Sequence, residues 1–162
     1  MNPYLNIKEG VKVIRAGQYK RQDETIITHV HLPSSLKIIE AEAFAGQPIE
    51  KIYGLTGTKL RSIGDRAFRG SELVDIEFPK TLESIGDEAF ENSEFLQKVT
   101  FPKHIYSIGS RAFAGCFDLE RPVVYGLISI GIDAFPDGYT RKSNRGFRVD
   151  GVGSDAFVGF RF

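Results

Sequence analysis

The chain has 162 residues, 41% of them hydrophobic and 26% charged, which suits one globular domain rather than a disordered tail. Lysine plus arginine equals aspartate plus glutamate at 21 each, so no basic field draws the chain to nucleic acid or to an anionic membrane. A single cysteine, Cys116, excludes an internal disulfide framework and a multi-cysteine zinc site. Phenylalanine is used 13 times, tyrosine 6 times and tryptophan not at all, which suggests one aromatic position used repeatedly.

Met1 to Glu9 contains no apolar run, so it does not read as a signal peptide. No later stretch approaches the roughly 18 apolar residues of a membrane span. The sequence taken as it stands is expected in the cytoplasm; a secreted or surface location is the alternative if a leader had been cleaved. The first repeating feature comes at Val13 to Tyr19, a diverged opening coil over about residues 4–24. Ala-Phe then recurs at Phe44, Phe68, Phe90, Phe113, Phe135 and Phe157, with Tyr19 in the equivalent place of the opening coil. Regular coils are expected over about 25–138 and a capping coil over about 139–162, so that residues 1–162 form one domain.

Each copy carries more than the dipeptide. Gly64, Gly86, Gly109, Gly131 and Gly153 stand three residues before their alanines, and upstream runs an apolar frame, Leu-x-x-Ile-x-Phe-Pro. The frame is plainest at Leu73 to Pro79 and Leu96 to Pro102, is present at Ile27 to Pro33, and is looser at Ile49 and Leu119. A short alternating apolar stretch closed by proline predicts a strand that cannot continue. The repeated glycine predicts a positive φ or a close backbone approach. Ile-Gly-x-x-Ala-Phe is too short for a full helix and predicts a helical turn. One coil cannot bury its own phenylalanine, but stacked coils build a continuous ladder.

These motifs resemble the leucine-rich repeats of the bacterial BspA-like (Treponema pallidum-type) subclass, over roughly residues 5 to 160. Two departures stand out: Gly54-Leu55-Thr56-Gly57 replaces the proline of one copy, and the family's cysteine position is filled only by Cys116. The resemblance implies a right-handed α/β-type solenoid of about seven coils. It also implies a concave parallel sheet and short helical turns or 3-10 segments on the convex side. It implies surface adhesins, host-interaction proteins or binding modules, and names no ligand.

On a strand of that frame the Ile and Phe point inward and their neighbours outward. Two outward columns follow: His29, Lys51, Asp75, Lys98 and Arg121, and beside them His31, Tyr53, Glu77, Thr100 and Val123. The columns read either as a self-paired charge ladder that discourages edge aggregation, or as a recognition patch centred on Tyr53, Asp75, Glu77 and Lys98. At the C-terminus, Thr140 to Gly146 is polar and basic, and Phe147, Phe160 and Phe162 follow. That stretch reads as a cap, with a dimer contact or an anion patch of Arg141, Lys142, Arg145 and Arg148 as alternatives.

Four tempting chemistries give way to the repeat. Gly151 to Ala156 matches a dinucleotide fingerprint, but Gly153 and Ala156 fall in the repeat register, with no βαβ unit around them. His29 and His31 share a strand face, yet two ligands are short of a zinc site. Asp75 and Glu77 lie on an open sheet, which lacks the cleft that paired acid–base work needs. Cys116 occupies a position expected between coils. No cofactor, metal or catalytic set is expected. The sequence therefore predicts a non-enzymatic module that binds an unidentified protein through its concave face. A surface-adhesin fragment and a self-associating protein, dimerising through its C-terminal coil, are the alternatives.

Overall fold

A computed structural model describes residues 3–22, 24–120, 122–125, 129–136 and 148–150. Short strands alternate between two walls. The odd-numbered strands are β1 (Tyr4–Asn6), β3 (His29–His31), β5 (Lys51–Tyr53), β7 (Asp75–Glu77), β9 (Lys98–Thr100), β11 (Val123–Tyr125) and β13 (Arg148–Asp150). The even-numbered strands are β2 (Val13–Ile14), β4 (Ile38–Ile39), β6 (Ser62–Ile63), β8 (Ser84–Ile85), β10 (Ser107–Ile108) and β12 (Ser129–Ile130). All pairings are parallel, each strand with its counterpart one coil away, so the chain is a parallel β-solenoid. The even strands form one continuous six-stranded sheet, whereas the odd strands fall into separate sheets of three, two and two.

The third side of each coil differs from the expected helical turn. Within it alternate amides look in different directions: Glu42, Phe44 and Gly46 donate to the carbonyls of Asp65, Ala67 and Arg69 in the next coil, while Ala45 and Gln47 donate back to Glu42 and Phe44. The result is a ladder of tight turns. A helix is prevented because Glu42, Arg66, Glu88, Arg111 and Asp133 sit at φ between 53° and 56°. The 3-10 turn among the described residues, Leu55–Gly57, follows β5 instead.

The repeated glycines answer to close approach. A Cβ on Gly109 would lie 2.5 Å from the Asp87 amide nitrogen, and one on Gly131 2.1 Å from that of Ser110. The positive φ falls two residues later, on the charged column just named. Between the walls, Tyr19, Phe44, Phe68, Phe90, Phe113 and Phe135 stack in parallel, with centroids 5.2 to 5.4 Å apart. Phe44, Phe90 and Phe113 are fully buried. The inward Ile or Val of each frame and Leu32, Phe78 and Phe101 complete the core. The cap over 139–162, including Phe147, Phe160, Phe162, Arg141, Lys142, Arg145 and the Gly151 to Ala156 motif, lies outside the described residues, except that the backbone of Arg148 to Asp150 pairs with β11.

Candidate functional site

The outward residues of the odd strands share a face because each triplet alternates. Asp75 and Glu77 are exposed with Ile76 buried between them, and Lys98 and Thr100 flank buried Val99 in the same way. Parallel pairing then aligns His29 with Lys51, His31 with Tyr53, Asp75 with Lys98 and Glu77 with Thr100. Both columns therefore exist over these coils.

Their N-terminal end is aromatic. The His31 ring stacks on Tyr53 at 4.3 Å and the His29 ring lies 6.0 Å from Tyr53. His29 also packs 4.6 Å from Tyr4, and its Nδ1 lies 2.7 Å from the Thr28 hydroxyl. Tyr4 is an addition to the expected set: β1 pairs in register with β3 and puts Tyr4 beside His29. The opening coil lacks the proline-closed frame, so the spacing back from Tyr19 pointed to a coil there but to no particular strand.

Further along, Lys51 Nζ lies 3.5 Å from Asp75 Oδ1, with both side chains more than half exposed. This is the single ion pair of the face among the described residues, so the self-paired ladder is realised at one rung. Arg121 lies outside the described residues. Val123 is exposed but opens its strand, and buried Val124 takes the central inward place. Val123 thus belongs to the first column by its pairing with Arg148. The chain carries two more residues between Leu119 and Val124 than between Leu96 and Val99.

The sheet is also split in the middle of this face. At Leu32 and Phe78 the strand carries on, and their amides donate to Tyr53 and Thr100 of the next coil. After β5, however, Gly54 turns at φ 79° into the 3-10 segment, and β5 and β7 do not pair. A cleft of about 160 Å³ opens there between Lys51 and Ile52 on one side and Asp75, Ile76 and Glu77 on the other.

Reactive groups are not assembled on this surface. Cys116 is buried, its thiol lies 3.3 Å from the Phe90 carbonyl, and desolvation pushes its pKa up to about 12, further from the reactive thiolate than an ordinary cysteine. Among the described residues, no three His, Cys, Asp or Glu side chains converge on a metal position. No helix there is long and apolar enough to cross a membrane. On the even wall a shallow groove of about 530 Å³ runs past Ser62, Ser84 and Ser107, a column of small side chains beside the close-packed glycines.

The comparisons agree with this geometry. The model of the BspA type leucine rich repeat region matches six copies over residues 12–140. The chain belongs to that family. It is 28% identical to the pneumococcal vaccine antigen PcpA, with a TM-score of 0.67 over 82% of this chain, and it spans 37% of the antigen's length. The Treponema pallidum leucine-rich-repeat protein shares 19% identity, with a TM-score of 0.58 over 83% of this chain and 78% of that one. A Bacteroides ovatus leucine-rich-repeat protein shares 22% identity, with a TM-score of 0.52 over 81% of this chain and 48% of its own. The latter two likenesses bear on the fold alone. No curated protein matches the chain.

Proposed function

We propose that this BspA-type repeat domain is a non-enzymatic protein-binding module, and that its partner docks on the odd-strand face of a seven-coil solenoid, the concave side. The observation that supports this is the cluster of exposed Tyr4, Tyr53 and His31 with half-buried His29, followed on the same face by Lys51, Asp75, Glu77, Lys98 and Thr100. Aromatic rings with a polar surround are what protein interfaces favour, because they bury much area at little rotamer cost. The likeness to a pneumococcal vaccine antigen favours the cell surface over the cytoplasm as the place of binding. A polar binding face needs no catalytic group, which fits a family of repeats built for contact.

The test is capture of a partner, identified by mass spectrometry, and then measured binding of that partner to variants. Asp75→Lys with Glu77→Lys, and separately Tyr53→Ala, should each weaken binding at least about tenfold. Asp133→Lys, on the turn side, should not. Unchanged binding in both face variants moves the site elsewhere on the solenoid.

A further inference from the structure

The cleft between β5 and β7 is one of two breaks along the odd wall, the other lying between β9 and β11, and its walls differ in chemistry from its floor. Ile52, Leu55 and Ile76 form the apolar part; Leu55 and Ile76 are buried. Lys51, Asp75 and Glu77 stand at the mouth. Its existence depends on Gly54: a Cβ there would sit 2.7 Å from the Leu32 carbonyl oxygen, and only the turn at φ 79° diverts the chain away from β7.

Size limits the occupant. About 160 Å³ holds the equivalent of roughly five waters, far below the several hundred Å³ of a pocket for a cofactor or a drug-sized ligand. One long side chain fills it. Charge then selects which. Lys51 is already engaged with Asp75, while among the described residues Glu77 has no cation within salt-bridge distance, so the mouth carries an excess of one carboxylate. Asp75 and Glu77, two apart on one strand, project on the same side.

We propose that this cleft is the anchor pocket of the binding face and takes an arginine side chain presented by a protein partner. The methylene stem packs on Leu55 and Ile76, and the planar guanidinium reaches the Glu77 carboxylate at the lip. A guanidinium suits a slot better than an ammonium, because it is flat, weakly hydrated and able to engage a carboxylate through two N–H groups at once. The assignment rests on the odd-strand face being the binding face, and it can be tested without the partner.

The test titrates the isotope-labelled chain with N-acetyl-arginine amide, N-acetyl-lysine amide and N-acetyl-leucine amide, following the amide resonances of Gly54, Leu55, Thr56 and Ile76. The arginine compound should give saturable shifts at millimolar concentration and bind at least about fivefold tighter than the other two. Glu77→Gln should weaken it about fivefold or more. Lys51→Ala should tighten it, because a competing cation is removed. Absence of saturable shifts, equal binding of the leucine compound, or indifference to Glu77→Gln overturns the assignment. If the face reversal leaves partner binding intact while the arginine compound still binds, the docking reading fails and the pocket stands. If partner binding is lost but no arginine binds, the pocket fails and the face stands.

Discussion

The two walls of the solenoid are built to different tolerances. The even wall is one unbroken six-stranded sheet, and from β6 onward it repeats Ser-Ile-Gly in every coil, with the glycines against backbone and a phenylalanine ladder behind them. The odd wall has three-residue strands against the even wall's two, yet it is split into three sheets and varies its outward chemistry from coil to coil. Register and stability are concentrated where every coil must be alike. The wall free to differ carries the cleft and the aromatic cluster, as expected where a rigid scaffold presents variable surface.

The largest effect should come from the ladder. Phe90 is fully buried, stacks on Phe68 at 5.4 Å and Phe113 at 5.2 Å, and meets Phe78 at a tilt of 59°. Phe90→Ala should cost about 3–5 kcal/mol in denaturant unfolding, the sum of lost transfer energy and a cavity that neighbouring rings cannot collapse into. Tyr53→Ala, on the odd face, should cost less than about 1 kcal/mol. Comparable losses at the two positions would abolish the distinction between the walls.

A smaller effect separates two glycines. Gly109→Ala drives a Cβ to 2.5 Å from both the Asp87 amide nitrogen and the Gly86 carbonyl carbon, neither of which is a flexible side-chain end. The strain should lower stability by about 1–3 kcal/mol. Gly57→Ala, in the 3-10 turn beside the cleft, meets nothing within 4 Å and should change stability by less than about 0.5 kcal/mol. Thermal melts of the two variants decide whether close packing really belongs to one wall.

The same contrast explains what could be read in advance. The fold was legible because Ala-Phe and Ile-Gly recur at positions that bury against the next coil, where any departure would break the stack. The outward columns over β3, β5, β7 and β9 followed from strand alternation alone. Arg121 and Val123 were assigned by counting forward from Leu119 at constant spacing, and the two additional residues before Val124 shifted the register of that strand. The helical turn failed for a different reason: the amides it would have used internally go instead to the neighbouring coil, a non-local choice that no window of sequence displays. The cleft was visible only as a missing proline, since Gly54-Leu55-Thr56-Gly57 does not say that β5 and β7 part.

The turn side holds the smallest and most conditional contribution. Charged residues at positive φ cost about 1–2 kcal/mol each for an L-residue, more than the 0.2–1 kcal/mol typical of exposed ion pairs. The backbone bonds from Glu42, Arg66 and Glu88 to the next coil, 2.7 to 2.9 Å long, therefore supply most of what holds this conformation. The side chains add a ladder in alternating charge: Lys20 reaches Glu42 at 2.5 Å, and Arg66 bridges Glu42 at 3.2 Å and Glu88 at 3.0 Å. Beside it, buried Glu91 is held by Arg111 and by Arg69, whose Nε lies 2.8 Å from Oε2 but off the hydrogen-bond axis. The Lys20 hydrogen bond and charge, with Arg66 behind them, hold the Glu42 carboxyl below its ordinary pKa. Because the folded value is the lower one, the ladder's contribution is complete above the unfolded carboxylate value, about 4.3, and is lost as pH falls through the folded value. Glu42→Gln should therefore melt about 1–3 °C below the parent at pH 7 and low salt. The difference should shrink in 1 M salt, where the screening length falls to about 3 Å, and close as acid protonates the parent's own carboxyl. A deficit that persists undiminished in acid and in salt would assign Glu42 a packing role and leave the turn side, like the even wall, held by backbone geometry alone.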